Sequence, residues 1–160
     1  MKANMELMRR AYGRRQRQME PTSRTVARLE MSVEYLLDAS ALYGLVARYD
    51  RWIGHRERLA ILHLTVYEVG NALWKEARAG KLPWREAAGA LSRVLSALKV
   101  LDDPPLEKVL EVAVERDLTF YDASYAYAAE TLGLSLVTQD RELLRKSRAA
   151  IDVAAFLARL

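Results

Sequence analysis

The chain has 160 residues, 51% hydrophobic and 29% charged, a balance that fits one globular domain with a single sizeable core. It contains no cysteine, which excludes disulfides and thiolate zinc sites, so any metal must sit on oxygen ligands or on the two histidines, His55 and His63. The formal net charge is +4, there is no apolar run of about 18 residues, and no signal-type apolar block follows the charged N-terminus; a membrane-spanning helix is excluded and a cytoplasmic protein is expected.

The charge is uneven. Residues 1–30 carry a net +5 and the remainder a net −1. Clustered arginine is the electrostatic footprint of an arm that binds a polyanion. The same segment has little apolar periodicity, and Met31 directly precedes the first predicted strand. Residues 1–30 are therefore read as a basic extension with little structure of its own, and residues 31–160 as the folded domain.

From Met31 onward, short apolar strands alternate with longer helical periods. Val33 to Leu37 is predicted as a first strand and Ala39 to Tyr49 as a helix. "RLAILHLT" (Arg58 to Thr65) reads as a second strand, followed by a helix from Val66 to Ala79 that stops at Gly80. Pro83 opens a helix whose apolar positions Ala87, Leu91, Val94, Leu95 and Leu98 keep helical spacing. "KVLD" is a brief third strand, Pro104 and Pro105 start a helix reaching Arg116, and "TFYDASYAYAAETLG" is a helix ending at Gly133. "LSLVT" gives a fourth strand, "DRELLRKS" a short helix and "AIDV" a last strand. Such alternation implies an α/β fold with a mainly parallel sheet covered on both faces.

In sheets of this kind ligands bind at the carboxyl ends of the strands. Asp38 directly follows the first strand, Glu68 lies three residues into the helix after the second, Asp122 opens the helix before the fourth, and Asp140 follows the fourth. These four acids are candidates for one cluster. Asp38, Asp122 and Asp140 also suit helix capping, which contributes about 0.5–2 kcal/mol. Glu68 sits among Val66, Tyr67, Val69, Ala72 and Leu73 in a helix expected to be largely buried, where an unpaired glutamate is costly. A plain polar stripe with Asn71 and Lys75 is the alternative. His63 reads as a packed strand histidine, His55 as part of a surface loop, and Tyr121, Tyr125 and Tyr127 as helix packing, although a tyrosine near the acids could stack on a base. There is no phosphate-binding glycine loop, no G-x-S-x-G and no H-E-x-x-H.

Three stretches in order, "YLLDASALYGL", "LTVYEVGNALWKEARAGKL" and "LTFYDASYAYAAETLGLSLVTQDREL", resemble the signature blocks of PIN domains, particularly the toxin ribonucleases of VapBC-type toxin-antitoxin systems. The resemblance runs from about Val33 to the C-terminus. It implies a three-layer α/β/α domain whose Asp38, Glu68, Asp122 and Asp140 bind metal, with Ser40, Asn71 and Thr138 as polar support around them. It also implies an RNA substrate, homodimers, and an antitoxin whose segment occupies the acidic groove. Converging carboxylates repel one another, and Mg²⁺ or Mn²⁺, which prefer oxygen ligands, would relieve that repulsion. Arg48, Arg51, Arg141 and Arg145, near the expected groove, would add general phosphate affinity. Two other readings remain open: an acid-lined phosphatase or phosphotransferase with Asp38 as nucleophile, although "DAS" lacks the usual second acid two residues on, and a non-catalytic RNA- or protein-binding module of the same shape.

Overall fold

The computed structural model describes residues 33–160; the basic extension expected over residues 1–30 lies outside the described residues. Five short strands, β1 (Tyr35–Leu37), β2 (Leu59–Leu62), β3 (Lys99–Leu101), β4 (Ser135–Thr138) and β5 (Ala150–Asp152), pair in parallel in the order β3-β2-β1-β4-β5. β1 lies at the centre, with Leu36 opposite Ala60 on one side and Leu136 on the other. Every residue of β1 and β2 is buried, because both faces of the sheet are covered.

The period-2 alternation of each strand divides its side chains between two cores. Tyr35, Leu37, Leu59, Ile61 and Val137 enter one, and Leu36, Ala60, Leu62 and Leu136 enter the other. The first core is closed by α1 (Ala39–Val46), α2 (Tyr49–Trp52), α3 (His63–Arg78) and α4 (Trp84–Ser96). The second is closed by α5 (Leu106–Arg116), α6 (Phe120–Leu132) and α7 (Arg141–Lys146), while the last helix, α8 (Val153–Leu157), returns to the first through Val153 and Phe156. The result is a three-layer α/β/α domain. The chain leaves β1 over one face and returns to β4 over the opposite one, so the β1/β4 boundary is the topological switch point where such sheets open a crevice.

Several boundaries differ from the sequence reading. β2 ends at Leu62 instead of Thr65, because the Thr65 hydroxyl accepts the Leu62 N–H at 3.2 Å and turns the chain into α3. His63 is therefore an exposed first-turn residue, 3.8 Å from Asp103, and not a packed strand histidine. The helix after β1 breaks at Val46. The fully buried Trp52 folds the following segment back by donating its indole N–H to the Leu45 carbonyl at 2.9 Å, and a 3₁₀ turn over Ile53–Arg58 leads into β2. Helix α3 buries only Thr65 and Val69, so the expectation of a largely buried helix fails, and α8 was not foreseen.

One polar node joins the second-core helices. Arg116 of α5 makes a two-pronged bond to Glu130 of α6 at 2.7 and 2.9 Å, and the Ser147 hydroxyl donates to the same carboxylate at 2.9 Å. Hydrogen bonding from Arg116 holds the Glu130 carboxyl below the usual glutamate range. A depressed folded pKa means the contribution is full above the unfolded pKa and is lost as pH falls through the folded one. Glu130→Gln should lower unfolding free energy by about 1–2 kcal/mol at pH 7, and the gap should narrow below about pH 4. Urea denaturation at pH 7 and pH 3 measures both, and a gap undiminished at pH 3 would assign the loss to packing.

Candidate active site

Asp38 is the first residue beyond β1, and its extended backbone makes it the N-cap of α1. Its side chain accepts the Ala41 N–H at 2.7 Å and the Ser40 hydroxyl at 2.8 and 3.0 Å, and the Thr138 hydroxyl donates to Oδ2. The same two hydroxyls accept backbone N–H groups from the segment after β4: Ser40 from Gln139 at 2.8 Å and Thr138 from Asp140 at 2.9 Å. Each hydroxyl thus spends its one proton on Asp38 and its lone pairs on the neighbouring loop, locking the ends of β1 and β4 together.

Asp140 caps α7, with Oδ1 accepting the N–H groups of Glu142 and Leu143 at 2.8 and 3.0 Å. Asp122 occupies the first turn of α6, where Thr119, the true N-cap, donates its hydroxyl to Oδ2 at 2.6 Å. Glu68 is half-buried on α3 and is held from another layer, since Tyr125 of α6 donates to Oε2 at 2.7 Å. An ionised carboxylate only accepts, so Tyr125 must donate to it. The Thr65 hydroxyl, 2.9 Å from the phenol oxygen, then donates to Tyr125 while accepting the Leu62 N–H. This chain of bonds runs one way, from the end of β2 to Glu68. Burial pushes the Tyr125 phenol far above its ordinary range, so it stays a donor.

All four acids line one cleft of about 430 Å³ at the switch point, together with Ser40, Tyr43, Tyr125 and Gln139, and among the described residues no lysine, arginine or histidine lines it. The electrostatics record their proximity. Burial raises the Asp38 carboxyl, against hydrogen bonds from Thr138, Ala41 and Ser40, and the Asp140 charge raises it further. Burial likewise raises Glu68, opposed by the Tyr125 hydrogen bond and reinforced by the charges of Asp38 and Asp122. Among the described residues, no three acids stand close enough to enclose one ion by themselves. The donor set is nonetheless all oxygen and uncompensated, and Glu68 Oε1, Asp122 Oδ1 and Asp140 Oδ2 carry no hydrogen bond among the described residues. That suits a hard cation such as Mg²⁺, which is held through one or two carboxylates and completes its shell with water and phosphate oxygens.

The other expected residues fall differently. Ser40 and Thr138 touch Asp38, but Asn71 makes no hydrogen bond to the acids and lines an adjoining groove. None of the four arginines lines the cleft. Arg48 donates to the Gly44 carbonyl, Arg145 pairs with Glu142 at 2.7 Å, and Arg51 and Arg141 are exposed on α2 and α7. Sequence reasoning missed Thr65 and Tyr125 as site residues. A signal was present, because Thr65 precedes Glu68, and Tyr125 follows Asp122, by the three-residue step that shares a helix face.

The PIN domain family model matches residues 35–149. Exonuclease VapC9 of Pyrobaculum aerophilum is 69% identical over 130 residues, covering 81% of this chain and 98% of that protein. Ribonuclease VapC3 of the same organism is 33% identical over 129 residues, covering 74% of this chain and 98% of the relative. Among solved structures, PAE2754 from Pyrobaculum aerophilum superposes with a TM-score of 0.79 at 69% identity, covering 81% of this chain and 90% of the other. DNA-bound VapBC from Salmonella typhimurium shares the fold at a TM-score of 0.61 and 20% identity, over 76% of this chain and 98% of that one.

Because the fold raises the Glu68 pKa, the native state holds that proton more tightly than the unfolded chain, and ionisation costs stability once pH exceeds the unfolded value. Glu68→Gln keeps the acceptor for Tyr125 and removes the charge. In EDTA its melting temperature should exceed the wild-type value at pH 7, with the gain disappearing below about pH 4. Thermal melts at the two pH values decide this, and a lower melting temperature at pH 7 would make Glu68 a structural residue.

Proposed function

The chain belongs to the PIN domain family, and on that premise we propose that it is a metal-dependent ribonuclease, the toxin of a toxin-antitoxin pair, hydrolysing RNA phosphodiester bonds in the cytoplasm. The observation that carries this reading is the cleft at the switch point of the sheet, lined among the described residues by four carboxylates and no basic side chain. The names of the relatives, an exonuclease and a ribonuclease, support a nuclease. Asp38, Glu68, Asp122 and Asp140 would hold Mg²⁺ or Mn²⁺. A divalent cation bound there supplies charge neutralisation for the phosphate, a lowered pKa for an attacking water and stabilisation of the leaving oxygen.

The chain's own residues supply position. Ser40, Thr138 and the Ala41 N–H fix both oxygens of Asp38, so it presents its remaining lone pairs in one orientation. Tyr125 aims Glu68, and Thr119 restrains Asp122, each leaving one oxygen turned loose for a ligand. Among the described residues no histidine lines the cleft to serve as the neutral base that would draw a proton from the 2′-hydroxyl of RNA. Attack by an external water therefore fits the site better, with the 3′ oxygen leaving.

The partners follow from charge and exposure. A cleft this acidic accepts a basic side chain from another protein as readily as a cation, which fits an antitoxin segment, and a VapBC assembly is among the fold's neighbours. An apolar stripe on α5, Leu106, Leu110 and Val114, is exposed at four-residue spacing, which suits a homodimer contact. Among the described residues no helix is long and apolar enough to cross a membrane.

Mg²⁺ or Mn²⁺ should support RNA cleavage and excess EDTA abolish it. Asp38→Asn, Glu68→Gln, Asp122→Asn and Asp140→Asn should each remove most of the turnover while the protein stays folded by circular dichroism. The products should carry 5′-phosphate and 3′-hydroxyl ends. Cyclic phosphate ends, or cleavage persisting in EDTA, would overturn the assignment.

A further inference from the structure

A second groove adjoins the acid cleft along the exposed side of α3. It has a volume of about 460 Å³ and shares Tyr43 and Glu68 with the cleft. Its remaining polar lining among the described residues is Asn71, Lys75, Glu76 and Tyr121. Apart from the two glutamates, these side chains are uncommitted within the described fold. Tyr43 is 48% and Tyr121 59% exposed, and neither ring stacks on another aromatic side chain among the described residues. The Asn71 side chain makes no hydrogen bond and Lys75 no ion pair among the described residues; Glu76, which also lines the groove, lies 3.7 Å from Lys81. Two open aromatic faces, an amide with free donors and acceptor, and an unpaired ammonium form the set that reads unpaired nucleotides, which are held by stacking, by hydrogen bonds to base edges and by phosphate contacts. A double-stranded segment offers no free base face to such a groove.

We propose that this groove is the binding subsite for the nucleotide next to the scissile phosphate of single-stranded RNA, with Tyr43 and Tyr121 as stacking surfaces, Asn71 on the base edge and Lys75 on the flanking phosphate. The inference rests on the ribonuclease reading for its substrate and extends it to what selects the RNA. It also gives Asn71 a place, since that residue does not touch the acids.

The test uses the full chain and a fluorescein-labelled single-stranded RNA octamer. Binding is followed by anisotropy with Ca²⁺ present in place of Mg²⁺, and cleavage is measured separately with Mg²⁺. Tyr43→Leu and Tyr121→Leu should each raise Kd about tenfold, with KM rising in parallel. Tyr43→Phe and Tyr121→Phe should stay within about twofold of wild type, because the ring and not the hydroxyl carries the contact. Lys75→Met should reduce the slope of log affinity against log salt by about 0.7. Asn71→Ala should change preference among octamers differing at one base.

Groove variants that bind and cleave as wild type overturn the subsite and leave the ribonuclease reading standing, with the groove open to a protein partner. Phenylalanine variants as weak as the leucine ones overturn the stacking role. If the wild type cleaves nothing with Mg²⁺ yet binding still depends on the two rings, the ribonuclease reading fails and the groove remains an RNA site. No RNA binding by the wild type overturns the subsite outright.

Discussion

Four carboxylates gathered at one end of a buried sheet, in a cleft that no described basic side chain lines, set the terms for everything around them. Two unit charges about 4 Å apart repel by roughly 4 kcal/mol at an effective dielectric near 20, and burial adds to the cost of ionising Asp38 and Glu68. The protein answers with donors: the Ala41 N–H, the hydroxyls of Ser40, Thr138 and Thr119, and the Tyr125 phenol. A hydrogen bond to a charged group returns about 1.5–3 kcal/mol, so this ring of donors offsets much of the repulsion but adds no positive charge. The field that remains in the cleft is negative, and it favours whatever brings a full positive charge.

Helix capping and the lining of the cleft are one arrangement for two of the acids. Asp38 caps α1 and Asp140 caps α7, as the plain reading of their positions required. A cap bond fixes one oxygen against backbone N–H groups, and in doing so it fixes the rotamer that points the rest of the carboxylate into the crevice. For Asp140 the division is clean, since Oδ1 takes both backbone donors and Oδ2 takes none. Asp122 differs. Thr119 does the capping, accepting the Asp122 N–H at 3.1 Å, and the aspartate is held by the same hydroxyl.

The parallel sheet was legible because strands covered on both faces must be apolar throughout, and Gly133, in the left-handed region at φ 68°, marked the end of α6 correctly. The error in β2 arose because "LAILHLT" is an apolar-rich run with no Gly or Pro to break it, while the stop comes from the bond that the Thr65 hydroxyl accepts from the Leu62 N–H, which the residue pattern cannot register. The burial of α3 was overread for a similar reason. Val66, Tyr67 and Trp74 are apolar by composition but exposed at 42, 78 and 55%, and nothing in a single sequence says which apolar face has no layer above it. At the site, strand ends pointed to Asp38 and Asp140 and helix starts to Glu68 and Asp122, whereas two of the groups that aim them, Thr138 on Asp38 and Tyr125 on Glu68, reach in from other elements that sequence order does not reveal. The arginines were counted as charges near a groove. Geometry assigns Arg145 to Glu142 and Arg48 to a backbone carbonyl, so proximity in sequence overstated their availability.

Glu68 depends on the fold in a way the other three acids do not. Asp38, Asp122 and Asp140 are held by their own helix ends or by the strand beside them, but Glu68 rides on α3 and is aimed by a tyrosine from α6, on the opposite face of the sheet. The Tyr125 ring must therefore emerge at the sheet's carboxyl edge at a fixed height. Ala123, Ala126 and Ala129, fully buried in the same core as Leu36 and Leu136, let α6 lie close against the sheet. Close packing resists added volume, so larger side chains at those alanines would lift the helix and move Tyr125 with it. The small residues of α6 act on the site through that distance, which connects a feature of core packing to the orientation of a carboxylate on the other layer.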